Sequence, residues 1–216
     1  MSNTILEIVK VRPDLIEAIQ PSFSELEETD HADGKYRLRK YSKVRVTHLN
    51  GGNPFTINDC QVGEFTQSEK YNKHQGGMAR SFEEIEEEVL QSEGMKKICL
   101  TFKQANNLID GQEIEIHQMR VATLSDGSAQ TSPEGTHQDG FDYIAMVGVD
   151  RQNMLGGELM VYEDRDAQPF LTYALKSGEM VMLNDRKLWH NATPVQAMNR
   201  VGQGFGDWFV LCARTS

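Results

Sequence analysis

The stretch SPEGTHQDGFDYIAMVGV, Ser132 to Val149, decides how this 216-residue chain is read. Its second half, from Phe141, is a nearly continuous apolar run of strand length. Its first half is a glycine-flanked loop that brings His137 and Asp139 to the point where the strand begins. Strand side chains alternate between faces, so residues i and i+2 point the same way. An imidazole and a carboxylate at this spacing can converge on one ion.

Working outward, residues 112–216 consist of short strand-like segments separated by Gly, Asn and Asp turns. EIEIHQMRV (Glu113 to Val121) alternates. Gly157 to Tyr162, Phe170 to Leu175, Glu179 to Leu183, Leu188 to Val195 and Asp207 to Ala213 complete a set of seven with the apolar run. Strands at this spacing predict a sandwich or barrel rather than alternating β–α units. Residues 1–110 have a different character. Pro13 with Leu15, Ile16 and Ile19 predicts a short helix, and Tyr36, Leu38, Val44 and Val46 alternate with basic residues as one or two half-exposed strands with a turn between them. Gly51 to Gly77 is polar and glycine-containing and is expected to be a long surface loop, a lid over a small substrate or an outer wall for a larger one. Ser81 and Glu84 form a capping-box pattern ahead of Phe82, Ile85 and Val89, which predicts a helix whose acidic run, Glu83 to Glu88, is its solvated face. A second helix is expected around Leu100 to Ile109. The expected organisation is one domain over 1–216, with 1–110 packing on a β-rich core at 111–216.

Composition removes several classes of function. The net charge of −10 argues against a nucleic-acid binder, which shows a basic patch or stripe. No apolar run approaches the length of a membrane span, and MSNTILEIVK has neither the basic nor the apolar region of a secretory leader. Cys60, Cys99 and Cys212 are odd in number and far apart, which fits small buried hydrophobes in a reducing cytoplasm rather than a disulfide framework. A small-molecule ligand is the expected partner. An exposed sheet edge leaves a homodimer open.

A second histidine, His190, opens a later strand 51 residues after Asp139. Two histidines and one carboxylate make a facial triad, which leaves adjacent coordination positions open and suits non-haem Fe(II). A His-x-Asp pair alone is weak, since about 0.4 chance matches are expected in such a chain. The order His137-x-Asp139, His190, then Arg200 in a β-rich half is what gives it weight.

That order resembles the Fe(II)/2-oxoglutarate-dependent dioxygenases. Their double-stranded β-helix, a cupin-like jelly roll with flanking helices (mainly β, α+β), matches the strand count. Ser132 to Tyr143, GGELMVYED at Gly157 to Asp164 and HNATPV at His190 to Val195 resemble the bacterial amino-acid hydroxylases typified by L-isoleucine 4-dioxygenase. EIHQMRV at Glu115 to Val121 resembles that family's strand before the metal loop, with weaker echoes around Tyr36 to Arg39. The resemblance covers residues 110–216. It implies Fe(II) on His137, Asp139 and His190, with O2 and 2-oxoglutarate consumed and succinate and CO2 released. It further implies hydroxylation of a free, aliphatic amino acid, with ascorbate as the reductant in vitro. Related halogenases carry a small residue at the Asp139 position, so the carboxylate favours hydroxylation. The chain departs from the pattern at one place: the arginine expected before the acidic residue of the last strand is Gly206, ahead of Asp207. Arg200 is the first candidate for the cofactor carboxylate, with Arg120 and Arg214 as the others. Arg120 shares strand parity with Ile114 and Ile116, which would point it into the barrel. A buried arginine needs an anion, and a bound carboxylate would serve, so Arg120 is also the candidate for the substrate.

The same chemistry on a peptide, a carrier-bound residue or another metabolite is one alternative. A non-enzymatic cupin-like binding module is another. His117 has the opposite parity to Arg120 and is expected to face away from the barrel interior. His31, His48 and His74 carry no spacing signal. Gly156-Gly157 is expected to be a strand-entry turn, while Trp189, Trp208 and the methionines are expected to be core.

Overall fold

The alternation of side chains that marks the strands of the C-terminal half organises the whole molecule. In a computed structural model, residues 5–47, 56–60, 77, 80–123, 127–199 and 201–215 are described. Before residue 110 the elements are β1 (Leu6–Lys10), α1 (Pro13–Glu17), a 3-10 turn (Gln20–Glu25), β2 (Arg37–Thr47), β3 (Thr56–Cys60), α2 (Glu87–Leu90) and α3 (Glu93–Ala105). Then follow β4 (Glu113–Ala122), β5 (Ser128–Ala129), β6 (Tyr143–Gln152), β7 (Met154–Leu155), β8 (Leu159–Tyr162) and β9 (Leu171–Tyr173). The last are β10 (Glu179–Asn184), β11 (Trp189–Ala192), β12 (Val195–Ala197) and β13 (Phe205–Ala213).

Among the described residues, seven strands form one antiparallel sheet in the order β1-β10-β6-β13-β4-β2-β3. Two three-stranded sheets, β11-β8-β9 and β5-β12-β7, form the opposing layer. The large sheet is buried on both faces. Ile114 and Ile116 of β4, Val147 of β6, Met182 of β10 and Phe209 of β13 share one core with Phe23, Ile98 and Phe102 of the helical layer. Ile144 of β6, Val181 of β10 and Cys212 of β13 face the other way and pack with Leu159 and Val161 of β8. This two-sided burial explains why β6 is apolar nearly throughout, since neither set of alternate residues meets water.

The seven strands expected after residue 112 are all present, with β5, β7 and β12 as short additions. The N-terminal half does more than pack on the barrel, because β1 and β2 are strands of its main sheet, at opposite ends of the C-terminal set. Two expected helices change. Residues 81–86 form no helix: the Tyr41 N–H donates to the Glu83 carbonyl at 2.9 Å, and the Ile85 N–H donates to Ser42 Oγ at 3.0 Å. The edge of β2 takes backbone groups that a helix over this segment would have bonded within itself. The main helix is α3, where Ser92 Oγ accepts from the Met95 N–H at 3.1 Å as the N-cap. It ends ahead of Asn107, which has a left-handed φ of 52°. The expected turn between Leu38 and Val44 is absent, and β2 runs unbroken for 11 residues. Within the expected 51–77 loop, β3 pairs with β2. Residues 51–55 and 61–76 of that loop, His48 and His74 lie outside the described residues. No described helix is long and apolar enough to cross a membrane.

Phe23 anchors the helical layer. Its ring meets Phe209 edge-on, with centroids 4.9 Å apart, and it is fully buried. Phe23→Ala is expected to destabilise the fold by about 3–5 kcal/mol. A urea-unfolding midpoint that does not move would show that the 3-10 turn is not part of the core.

Candidate active site

His137 and His190 are brought together by the backbone before their side chains interact. Each donates its N–H to the other's carbonyl at 2.9 Å, an isolated antiparallel bridge between the loop before β6 and strand β11. Directly opposed residues of an antiparallel pair present their side chains on the same face. The two imidazoles accordingly lie with centroids 4.3 Å apart. Asp139, two residues on from His137, joins them. Its Oδ1 is 3.5 Å from His137 Nε2 and its Oδ2 is 3.3 Å from His190 Nε2. One ligand atom from each of the three lies within 4.8 Å of the others.

The surrounding hydrogen bonds fix this arrangement. His137 Nδ1 is 2.8 Å from the Gly135 carbonyl, so it carries the proton and leaves Nε2 free to bind a cation. Gly135 adopts a φ of 74°, which glycine accepts at little cost. Asp185, 1% exposed, accepts from the backbone N–H groups of Asp139, Gly140 and Phe141 at 3.1, 2.8 and 3.1 Å. Its Oδ1 also lies 3.6 Å from His190 Nδ1. One carboxylate therefore shapes the loop that presents Asp139 and orients the second imidazole. Burial and the charge of Asp139 both raise the Asp185 pKa. Burial would raise the Asp139 pKa too, but the two imidazoles hold it well below the usual carboxylate range. Burial would lower the His137 pKa, but Asp139, Glu134 and the Gly135 carbonyl outweigh it and bring it to about 9. Two neutral imidazole nitrogens and one carboxylate oxygen, clustered and buried, are a donor set that fits Fe(II).

The triad lies in the wall of a cavity of about 1000 Å³, its open mouth included. One side is apolar, with Ile144, Met146, Leu159, Leu175 and Val210. Another carries Arg37, Arg39 and Arg80, with Glu134 nearer the triad. Arg37 pairs with Asp33 at 2.6 Å. Burial and the neighbouring Arg37 and Arg80 pull the Arg39 pKa down to about 9.

The remaining sequence candidates are placed differently. Arg120 does share parity with Ile114 and Ile116, but that face meets the helical layer and not the barrel interior. Its Nε and Nη2 each donate to Asp207 at 2.7 Å, and its guanidinium covers the Phe205 ring at 4.1 Å. Arg120 thus stands away from the cavity, its charge satisfied by a carboxylate of the protein itself. The same inversion brings His117 into the cavity wall, stacked on Tyr41 with centroids 4.8 Å apart. Burial and the Arg39 charge hold the His117 pKa well below its usual value. Arg214 is exposed and lies over Phe141 at 3.8 Å, while Arg200 is outside the described residues. The Trp208 ring fills the space beside Gly206, where a Cβ would come within 2.1 Å of it, so an arginine there would require that ring to move. Trp208, Met119 and Met146 line the cavity, whereas Met180 and Met182 are core.

Sequence reasoning did not single out Arg37, Arg39, Arg80, Glu134 or Asp185 as functional. The signals for the first two were the weak family echoes around Tyr36 to Arg39 and the alternation of basic residues along β2, which resembled a half-exposed face. Asp185 carried none, as its role comes from a contact across 44 to 46 residues of chain.

A double-stranded β-helix with a His-x-Asp…His cluster in its cavity defines a class of metal-dependent oxygenase folds. The profile of the 2OG-Fe dioxygenase family matches residues 20–212, and the chain belongs to that family. It is a 2-oxoglutarate- and Fe(II)-dependent dioxygenase, which removes the reading as a non-enzymatic binding module. It is 24% identical to the L-isoleucine-4-hydroxylase of Bacillus thuringiensis over 203 residues, 90% of this chain and 81% of that protein. The crystal structure of a bsmA homolog from Methylobium petroleophilum PM1 matches with a TM-score of 0.78 at 26% identity, covering 94% of this chain and 82% of that one. The structure of IDO from Bacillus thuringiensis matches with a TM-score of 0.73 at 17% identity, covering 97% and 94%.

Two substitutions separate the roles of these residues. Asp185→Ala is expected to weaken divalent-metal binding by about 10- to 100-fold in a chelator competition, through loss of loop and imidazole orientation. Arg120→Met leaves the fully buried Asp207 without its partner. It should cost about 3 kcal/mol or more in urea unfolding with the metal affinity unchanged.

Proposed function

We propose that the enzyme hydroxylates an unactivated C–H bond of a free, aliphatic L-amino acid. One O2 and one 2-oxoglutarate would be consumed for each hydroxyl group inserted, with succinate and CO2 released. The observation that carries this reading is the cavity itself. The triad faces a compartment with an apolar wall for an aliphatic side chain and a cationic wall for a carboxylate. The likeness to a protein described as an L-isoleucine-4-hydroxylase supports it.

His137, Asp139 and His190 are the residues that would hold the iron. The bound iron supplies the oxidising chemistry, which no side chain can provide, at the expense of 2-oxoglutarate. The protein's own residues position and enclose. The apolar wall sets which carbon approaches the metal and keeps water from it. Asp185 keeps the ligand loop in shape. Asp139 fills with a carboxylate the position that a halide would need. Arg200 stands as the proposed partner of the 2-oxoglutarate distal carboxylate. The buried free thiols of Cys99 and Cys212 accord with a cytoplasmic location.

The test is succinate release with Fe(II), ascorbate, 2-oxoglutarate and each of the twenty free amino acids. The expected result is stimulation by Ile, Leu, Met or a similar side chain, a product 16 mass units heavier, and loss of at least about 1000-fold of the activity in His137→Ala. Succinate that no amino acid stimulates would overturn the amino-acid reading and direct attention to a peptide, a carrier-bound residue or another metabolite.

A further inference from the structure

Among the described residues, one cation of the cavity wall has no carboxylate within ion-pairing distance. Arg39 lies on β2 at the cavity wall. Among the described residues its polar contact is Met119 Sδ at 3.5 Å, and its guanidinium stands 5.3 Å from the Phe82 ring centroid. Arg37, two residues earlier on the same face, has Asp33, whereas Arg39 has no carboxylate among the described residues. A half-buried guanidinium without an anion is unfavourable, and its planar fork fits a ligand carboxylate. The hydroxyl of Thr131, buried in the same wall, also has no hydrogen-bond partner among the described residues.

Glu134 provides the opposite charge. Its Oε1 is 3.3 Å from His137 Nε2, and its side chain is 10% exposed. Glu134 lines the same cavity, and among the described residues no lysine or arginine lies within ion-pairing distance of it. Its field reaches Arg39 without an ion pair between them. An acid and a base held apart in one cavity match the two charged groups of a zwitterion.

We propose that Arg39, supported by Arg37 and Thr131, takes the α-carboxylate of an amino-acid substrate, and that Glu134 takes its α-ammonium. This rests on the amino-acid reading above. It adds where the common part of every amino acid is held, leaving the apolar wall to select the side chain. The alternative source of the same chemistry is the distal carboxylate of 2-oxoglutarate, which carries no ammonium for Glu134.

The experiment uses the whole enzyme loaded with Fe(II) and 2-oxoglutarate under anaerobic conditions, so that binding is read without turnover. L-Isoleucine and L-leucine are compared with their carboxamides and N-acetyl forms by calorimetry and by the fluorescence of Trp208, which lines the cavity. The wild type is expected to bind the acids at least about 30-fold more tightly than the amides. Arg39→Gln should lose about that factor for the acids and almost nothing for the amides, with 2-oxoglutarate affinity within about twofold of wild type. N-acetylation should weaken binding to the wild type and make little difference in Glu134→Gln. Without ligands, Arg39→Gln should melt no lower than the wild type, because it removes a half-buried charge with no carboxylate partner among the described residues, while Arg39→Lys should recover part of the affinity.

Amides that bind as well as acids would overturn the proposal. So would an Arg39→Gln variant that loses 2-oxoglutarate binding instead, since the site would then belong to the co-substrate. Failure of both Arg39 variants to fold would also overturn it and make the arginine structural. If Arg39→Gln binds and hydroxylates the amino acid normally, this inference fails and the proposed function stands. If no amino acid binds the wild type while 2-oxoglutarate is still turned over, the amino-acid function fails and this inference falls with it.

Discussion

The reciprocal pair of backbone hydrogen bonds between His137 and His190 is the constraint on which the active site depends. Side chains adapt by rotation, but a backbone bridge fixes which way both imidazoles must point. It joins a loop and a strand that are distant in sequence. Asp185 reinforces it from behind by taking three successive N–H groups of the loop, so Asp139 arrives on the same face. The ligands are thus positioned mainly by main-chain geometry. Little reorganisation is left for the ion to drive, which is how a strong yet open site is built.

The two faces of the large sheet divide the work. One is closed by helices and provides most of the apolar burial. The other carries the cavity, and there the polar and charged residues of β2, β4 and the loop before β6 can stay inside the protein because a ligand compartment adjoins them. The same strand can therefore carry an arginine bound by its own carboxylate on one face, as Arg120 does, and a histidine lining the cavity on the other. Parity alone assigns residues to two sets. It does not say which set faces the ligand.

This explains what could and could not be read from the sequence. The strands after residue 112 were legible because alternation and turn residues are local properties. The triad was legible from its residue types and their order; the expected strand start was not met, since His137 and Asp139 lie in the loop ahead of β6 and the bridge to His190 aligns them. The phase of β4 was not legible. Ile114 and Ile116 suggested the barrel interior, but a sheet covered on both sides has two interiors, and the isoleucines lie in the one made by the helices. The capping box at Ser81 was locally sound and lost to β2, whose Tyr41 and Ser42 bind that segment in extended form. The arginines of β2 were missed for a related reason: in a polar alternation, a ligand-facing side and a water-facing side look alike.

The placement of β1 and β2 in the main sheet has a consequence for how the chain can be made. β1 borders β10 and β2 borders β4, so strands synthesised early close both flanks of strands synthesised late. The first hundred residues cannot complete their sheet while they emerge, and the later strands keep an unpaired edge until the early ones return to them. Contacts so distant along the chain favour slow, concerted folding after synthesis over stepwise assembly. Dividing the chain near residue 110 would not yield a core and an accessory piece. It would leave two fragments with open edges, each the other's missing neighbour.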